Sequence, residues 1–384
     1  MTFSFGQDFR LGILGGGQLG QMLIQAAISF GPKIRVLDAD PESPCRHLAH
    51  DFVPGSFRDE TDVYAFGKSC DLLTVEIEHV HVGALKRLEE EGLAVFPSSA
   101  LLEIIQDKAH QKTFFRRHNI PTSDFVILEN ADHLRSHAHF LPAFQKLRRS
   151  GYDGRGVGEV TSADKAAFDA PSVLEKKVEN AREISILISR NDRGEVAIFP
   201  AVEMIFHPTS HLVEYLFAPA DIPKTPAARA GEIARELAEK MSLVGLMAVE
   251  MFLTAHGEIL VNEVAPRPHN SGHHTIRANQ TSQYEAHLRA ILGLAPGSTE
   301  TLSPSAMVNL LGEAGESGPV VYENMNEVLA LPGVSVHLYG KSQTRPFRKM
   351  GHVTILDQDP TKLREKVALV QKLVRVRSQG KASR

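Results

Sequence analysis

Residues 246–264 read LMAVEMFLTAHGEILVNEV. Two apolar runs flank the turn signal His256-Gly257, so the stretch reads as an antiparallel hairpin with strands over 246–254 and 258–264. With a two-residue turn, Ala255 faces Glu258; counting outward, Phe252 faces Val261 and Glu250 faces Glu263. Facing side chains have Cβ atoms only ~4.5–5.5 Å apart, and like charges there repel. Acids inside apolar strands are also costly to leave unpaired. A divalent cation held by Glu250 and Glu263 resolves the conflict. The alternative is two acids splayed to solvent. Asn262 lies on the opposite face of a regular strand and reaches the pair only through a bulge or along the edge.

Downstream, residues 265–274 read APRPHNSGHH. The prolines hold the chain extended, while Arg267, Asn270 and the histidines offer polar groups beside the proposed cation, suitable for a small anion such as bicarbonate. A zinc site at His269, His273 and His274 is the competing reading, but the neighbouring carboxylates favour a hard cation. His133, His137 and His139 read as a solvated face.

Upstream, Ala230, Ile233, Ala234, Leu237, Ala238 and Met241 share one helical face, with Gly245 as a stop. Ile184, Ile186 and Ile188 alternate with polar residues as a half-buried strand; residues 191–194 form a turn, and 196–199 return. Hairpins mixed with helices define an α+β unit over 101–300, whose first stretch, 101–125, is helical. Before it, residues 1–100 alternate strands at 11–14, 34–37, 72–75 and 94–96 with helices at 19–30 and 82–91, an α/β, doubly wound, Rossmann-like pattern. Residues 297–304 read as a linker to a small C-terminal domain, 301–384, with a basic tail.

Four segments carry further chemistry. Gly15-Gly16-Gly17-Gln18-Leu19-Gly20 fits G-x-G-x-x-G, and Asp38 ends the next strand. That reads as a dinucleotide site, as a site for some other phosphate at a helix N-terminus, or as a tight turn without ligand. Residues 151–158 hold four glycines in eight positions, with Lys146, Arg148 and Arg149 just before them. They suit a mobile loop wrapping nucleotide phosphates, or a surface hairpin turn. Glu175-Lys176-Lys177-Val178 and Glu183 could supply adenine and ribose contacts, a weak signal alone. Residues 341–349 cluster four cations, either for a substrate phosphate or as plain basic surface.

The bulk composition is ordinary. Of 384 residues, 42% are apolar and 23% charged, with net charge −4, so no nucleic-acid footprint is called for. Cys45 and Cys70 make neither a disulfide framework nor a cysteine zinc site. No signal peptide is read in the first ten residues, and no apolar run approaches the ~18 residues of a membrane span. A soluble, cytoplasmic protein with no membrane partner is expected.

Together, GGGQLGQM at 15–22, GYDGRG at 151–156, NEVAPRPHNSGHHT at 262–275 and RPFRKMGH at 345–352 resemble the ATP-grasp superfamily, and more closely its N5-carboxyaminoimidazole ribonucleotide synthetases of purine biosynthesis. The resemblance runs from about 10 to about 355. It implies an ATP-grasp fold, a homodimer, and ATP- and bicarbonate-dependent carboxylation of 5-aminoimidazole ribonucleotide through carboxyphosphate. ATP would meet Lys108, Lys146 and the loop Gly151, Tyr152, Asp153, Gly154, Arg155, Gly156 and Val157. Glu175, Lys176, Lys177 and Val178 would lie by adenine, Glu183 by the ribose, and His207 or His211 by the nucleotide. Mg²⁺ would sit on Glu250 and Glu263, with Asn262 nearby. Gln18, Leu19, Glu76, Lys341 and Arg348 would hold the ribonucleotide, while Tyr152, Asp153, Arg155, Arg267, Asn270 and His273 would surround bicarbonate and the reacting amine. Ser150 and Phe347 stand where the family has glycines. The rivals are a sister ATP-grasp ligase such as a formate-dependent glycinamide ribonucleotide transformylase, an NAD-binding oxidoreductase, and a nucleotide sensor without turnover.

Overall fold

The computed structural model describes residues 8–149, 156–207 and 212–380. The candidates Gly151, Tyr152, Asp153, Gly154, Arg155 and His211 lie outside the described residues. The chain opens with five parallel strands: β1 (Arg10–Leu14), β2 (Lys33–Asp38), β3 (Asp51–Pro54), β4 (Leu72–Val75) and β5 (Ala94–Phe96). Their order is β3-β2-β1-β4-β5, so the topology reverses direction between β1 and β4. The glycines after β1 and the acids after β4 thus meet at a switch point, where open α/β sheets place ligands. Helices α1 (Gln18–Ala27), α2 (Glu60–Gly67) and α3 (Val82–Glu90) lie along the crossovers. β3 and α2 were not expected from the sequence; both are short and only partly buried.

The helical stretch that follows is two helices, α4 (Ser99–Ile105) and α5 (Lys108–Arg117). They divide at Asp107, whose carboxylate caps α5 by accepting from the Ala109 N–H at 2.9 Å. A four-stranded antiparallel sheet then forms from β6 (Phe125–Leu128), β7 (Ala143–Leu147), β8 (Val157–Val160) and β9 (Ser172–Lys176), in the order β6-β9-β7-β8.

The large sheet contains β10 (Arg182–Arg190), β11 (Val196–Ile198), β12 (Val202–Phe206), β13 (Val213–Ala218), β14 (Gly245–Leu253) and β15 (Ile259–Ala265). Its order runs β15-β14-β10-β12-β13 and continues through β16 (Ser305–Leu311) into Lys349–Leu356 and Val334–Leu338. The C-terminal strands therefore extend the central sheet. Ile184, Ile186 and Ile188 of β10 pack with Val249 and Met251 against Ala230, Ile233, Ala234, Leu237 and Ala238 of α6 (Lys224–Lys240). Strand alternation then turns Glu183 and Ser185 to the other face, toward the four-stranded sheet.

Gly245 is not the stop of α6. The helix ends at Lys240, Ser242 takes the left-handed conformation at φ 50°, and Gly245 opens β14 at φ 123°. A Cβ on Gly245 would lie 3.0 Å from the His287 ring. His287 lies on α8 (Gln283–Ile291), which follows the short α7 (Thr275–Ala278). Its Nδ1 accepts from the Leu246 N–H at 3.1 Å, so Nε2 carries the proton toward Thr74 Oγ1 at 2.8 Å, joining β14 to β4. Gly245→Ala is expected to cost about 1–3 kcal/mol, read as a lower urea midpoint; an unchanged midpoint would refute the constraint.

Candidate active site

Glu250 and Glu263 face each other in the β14–β15 ladder. The route to that register differs from the sequence reading. The connection is one residue longer than a two-residue turn, so Leu253 faces Ile259 and Phe252 faces Leu260 rather than Val261. A bulge between Glu250 and Met251 in the register then inserts Asn262 as the extra residue and restores the acid pair. The bulge also brings Asn262 into the site, where its Oδ1 accepts from Lys146 Nζ at 2.7 Å. Burial, then Glu263 and Glu183, push the Glu250 carboxyl up, while Lys108 pulls Glu263 down. Among the described residues no group of three or more acidic, histidine or cysteine side chains forms a closed metal site. Two facing oxygen donors suit Mg²⁺, which takes oxygen ligands and keeps few of them from the protein.

Opposite the acids stand three lysines that line one pocket with Gln111, Glu175, Asn262 and Glu263. Lys108 Nζ lies 2.5 Å from Glu263 Oε2. Lys112 Nζ and Lys146 Nζ bracket Glu175 at 2.8 and 3.1 Å. Glu175 is only 3% exposed. Burial would raise its carboxyl, yet Lys146 and Lys112 hold it at about 2. Burial brings Lys112 down to about 8. The Glu175 carboxylate thus serves the lysines, which leaves any adenine contact in this segment to backbone groups. Lys176 and Lys177 donate their N–H groups to Asp124 O and Pro142 O, and Val178 is half-buried just beyond. Glu183 is driven up to about 7 by burial. Gly156 and Val157 form the base of the glycine loop, with Val157 opposite Lys146 and Gly156 at φ 73°.

The 266–274 segment requires one correction. His273 is 1% exposed, stacked on His352 with ring centroids 4.6 Å apart, and close to Tyr284 Oη at 3.1 Å. It is a core histidine, and burial holds it well below its usual range. His269, four residues earlier, faces the acids instead, with Nε2 3.6 Å from Glu250 Oε1. Its Nδ1 accepts from the Ser271 N–H, and burial lowers it to about 3, so the neutral ring presents Nε2–H to the acids. Asn270 lies beside His269, with its amide reciprocally bonded to Asn309. Arg267 forms a forked pair with Glu78, with Nη2 3.0 Å from Oε1 and Nε bonded to Oε2. Burial would raise Glu78, but Arg267 holds it at about 2. Sequence reasoning missed Glu78 and Asn309, and it named His269 only together with the other histidines of this run and as part of the zinc alternative.

At the switch point, the protein's own carboxylates occupy the glycine turn. Asp38 Oδ2 accepts from the Gly16 N–H at 2.6 Å, and Glu76 accepts from Gly17 and Gly20 at 3.0 and 3.1 Å. Asp38 is therefore not placed as a ribose acceptor, which removes the main support for a dinucleotide. Glu76 plugs the turn, and Gln18 and Leu19 carry the helix-start N–H groups not used by these two acids. From the C-terminal part, burial and then Arg345 pull Arg348 below its usual range, with Asp40 acting in the opposite direction. Lys341 Nζ donates to Lys349 O at 2.8 Å. Lys349 itself acts electrostatically on Glu250 and His269 and was not singled out from the sequence. His207 contacts the Phe347 ring at 5.9 Å between centroids. His133 and His139 are exposed, as expected.

Glu175→Gln would leave two lysines without their buried counter-charge, an expected loss of about 3–5 kcal/mol at neutral pH. A depressed carboxyl stabilises the fold above its unfolded value and loses that contribution as pH falls toward about 2. The acid limb of a pH–stability curve below about pH 4.5 should therefore flatten in the variant; an unaltered limb would count against this assignment.

Comparison with known proteins matches the ribonucleotide synthetase preATP-grasp domain over residues 9–106, the ATP-grasp domain over 113–284 and the phosphoribosylaminoimidazole carboxylase C-terminal domain over 305–366. The chain is 38% identical over 371 residues to the chloroplastic phosphoribosylaminoimidazole carboxylase of Vigna aconitifolia, covering 94% of this chain and 66% of that protein. It thus spans just under two thirds of that longer relative. The N5-carboxyaminoimidazole ribonucleotide synthetase structure from Thermotoga maritima matches with TM-score 0.90 and 40% identity, over 97% of this chain and 100% of that one. The synthase from Aspergillus clavatus, solved with ADP and 5-aminoimidazole ribonucleotide, matches with TM-score 0.85 and 31% identity over 95% and 98% of the two chains. The chain belongs to the N5-carboxyaminoimidazole ribonucleotide synthetase family of the ATP-grasp superfamily.

Proposed function

We propose that this protein carboxylates the exocyclic amine of 5-aminoimidazole ribonucleotide, using ATP and bicarbonate, to give N5-carboxyaminoimidazole ribonucleotide in de novo purine biosynthesis. The observation that carries the reading is the facing pair Glu250 and Glu263 opposite Lys108, Lys112 and Lys146, between two sheets. Fixed cations opposite paired acids suit a metal-bound polyphosphate.

Glu250 and Glu263 would hold Mg²⁺, which when bound neutralises phosphate charge. Lys108 and Lys146 orient the phosphates, and Glu183 accepts from the ribose. A bicarbonate oxygen attacks the γ-phosphorus, the bond to ADP breaks, and carboxyphosphate forms. Arg267 and His269 border this step. The amine then attacks the carboxyl carbon, phosphate leaves, and Asp153 takes the amine proton while Arg155 orients the carboxylate. Gln18, Leu19, Lys341 and Arg348 would hold the ribonucleotide. The work would divide among residues 1–100, 101–300 and 301–384, in a cytoplasmic homodimer. No described helix is long and apolar enough to cross a membrane.

The test is ADP release with Mg-ATP, bicarbonate and aminoimidazole ribonucleotide, omitting each in turn. Release should require the ribonucleotide and fall when bicarbonate is depleted. Glu263→Gln should lower kcat by about 100-fold or more while the thermal transition survives. Activity with formate and glycinamide ribonucleotide instead would move the protein to the sister ligases.

A further inference from the structure

Three neighbouring strands of the C-terminal part place Asn309, His352 and His337 in one cross-strand row: Asn309 faces His352, and His352 faces His337. Facing residues share a side of the sheet, so the row presents a single polar edge. That edge meets the turn 269–274. His352 stacks on His273 at 4.6 Å, and His337 stacks on His352 at 4.5 Å. Tyr339 Oη lies 3.0 Å from His352 Nδ1, fixing that ring from the side.

The most directed contact in the row is the amide pair. Asn309 Nδ2 donates to Val213 O at 2.7 Å and to Asn270 Oδ1 at 3.0 Å, while Asn270 Nδ2 donates to Asn309 Oδ1 at 2.8 Å. The Val213 carbonyl can only accept, so it must face the NH2 end of the Asn309 amide and fixes which way that amide points. The reciprocal pair then fixes Asn270. Both residues are nearly buried, at 6% and 8% exposure, so neither amide has water as a ready substitute partner. One Asn270 amide hydrogen is taken by Asn309, and the residue lies beside His269, which faces the acids.

We infer that Asn309 is a positioning residue for the bicarbonate subsite, acting through Asn270 to hold the turn that carries Arg267 and His269. The C-terminal part then helps shape the anion site from behind as well as approaching the nucleotide with its cations. The inference rests on the bicarbonate reading proposed above.

Asn309→Ala and the near-isosteric Asn309→Asp, each alone and combined with Asn270→Ala, separate the possibilities. The KM values for bicarbonate and ATP, kcat and the thermal transition are measured for each. The expected result for either single variant is a rise of about tenfold in the bicarbonate KM, the scale of one or two lost buried hydrogen bonds. The ATP KM should stay within about twofold. In the Asn270→Ala background, changing Asn309 should add no further rise. An unchanged bicarbonate KM, an equal rise in both KM values, additivity with Asn270→Ala, or loss of folding in both single variants would overturn the role. A wild-type protein whose ADP release ignores bicarbonate would instead overturn the parent reading, and this inference with it.

Discussion

One inserted residue in β15 sets the geometry of the site. Val261 and Val264 both belong to the core beneath α6, three positions apart, a spacing that a regular strand with a period of two would send to opposite faces. The bulge at Asn262 reconciles them. It keeps both valines in the core, restores Glu263 to the position opposite Glu250, and turns Asn262 toward Lys146. Without it, either a valine would leave the core or a carboxylate would enter it. The acid pair and the packing of the helix therefore depend on the same local irregularity.

The charges around that pair hold one another in place. Lys112 and Lys146 would repel if left alone, and Glu175 between them converts repulsion into a fixed spacing. Ser123 Oγ donates to Glu175 Oε2 at 3.1 Å, and Thr122 bonds both Lys112 Nζ and the carbonyl of Val261. The cations are thus arranged before any polyphosphate arrives, so little reorganisation accompanies binding. Glu78 does the same for Arg267, which ties the segment after β15 to the parallel sheet.

Much of this was legible in the sequence because periodicity exposes it. The isoleucine alternation of β10 and the single apolar face of α6 identified both partners of the central core, and two of the first sheet's strands, 72–75 and 94–96, fell where expected. The acid pair was legible for an incomplete reason: the longer connection and the bulge shift the register in compensating directions, and the Val261–Val264 spacing that marks the bulge was not used. His269 and His273 could not be told apart, since both lie in a short polar run and only packing against Tyr284 and His352 buries one of them. The Glu78–Arg267 pair joins residues 189 positions apart, beyond any local signal. Glu175 was a weak signal in the sequence because its lysine partners come from two other elements.

The β13–β16 ladder makes one hydrogen-bonded surface from the central and C-terminal strands, with Tyr215 through Ala218 paired against Ser305 through Val308. A hinge there would have to break that ladder, so a swinging motion of the C-terminal part is disfavoured. Lys349, on a strand of the same sheet as Glu250 and Glu263, is thereby held at a spacing set by the strands between them.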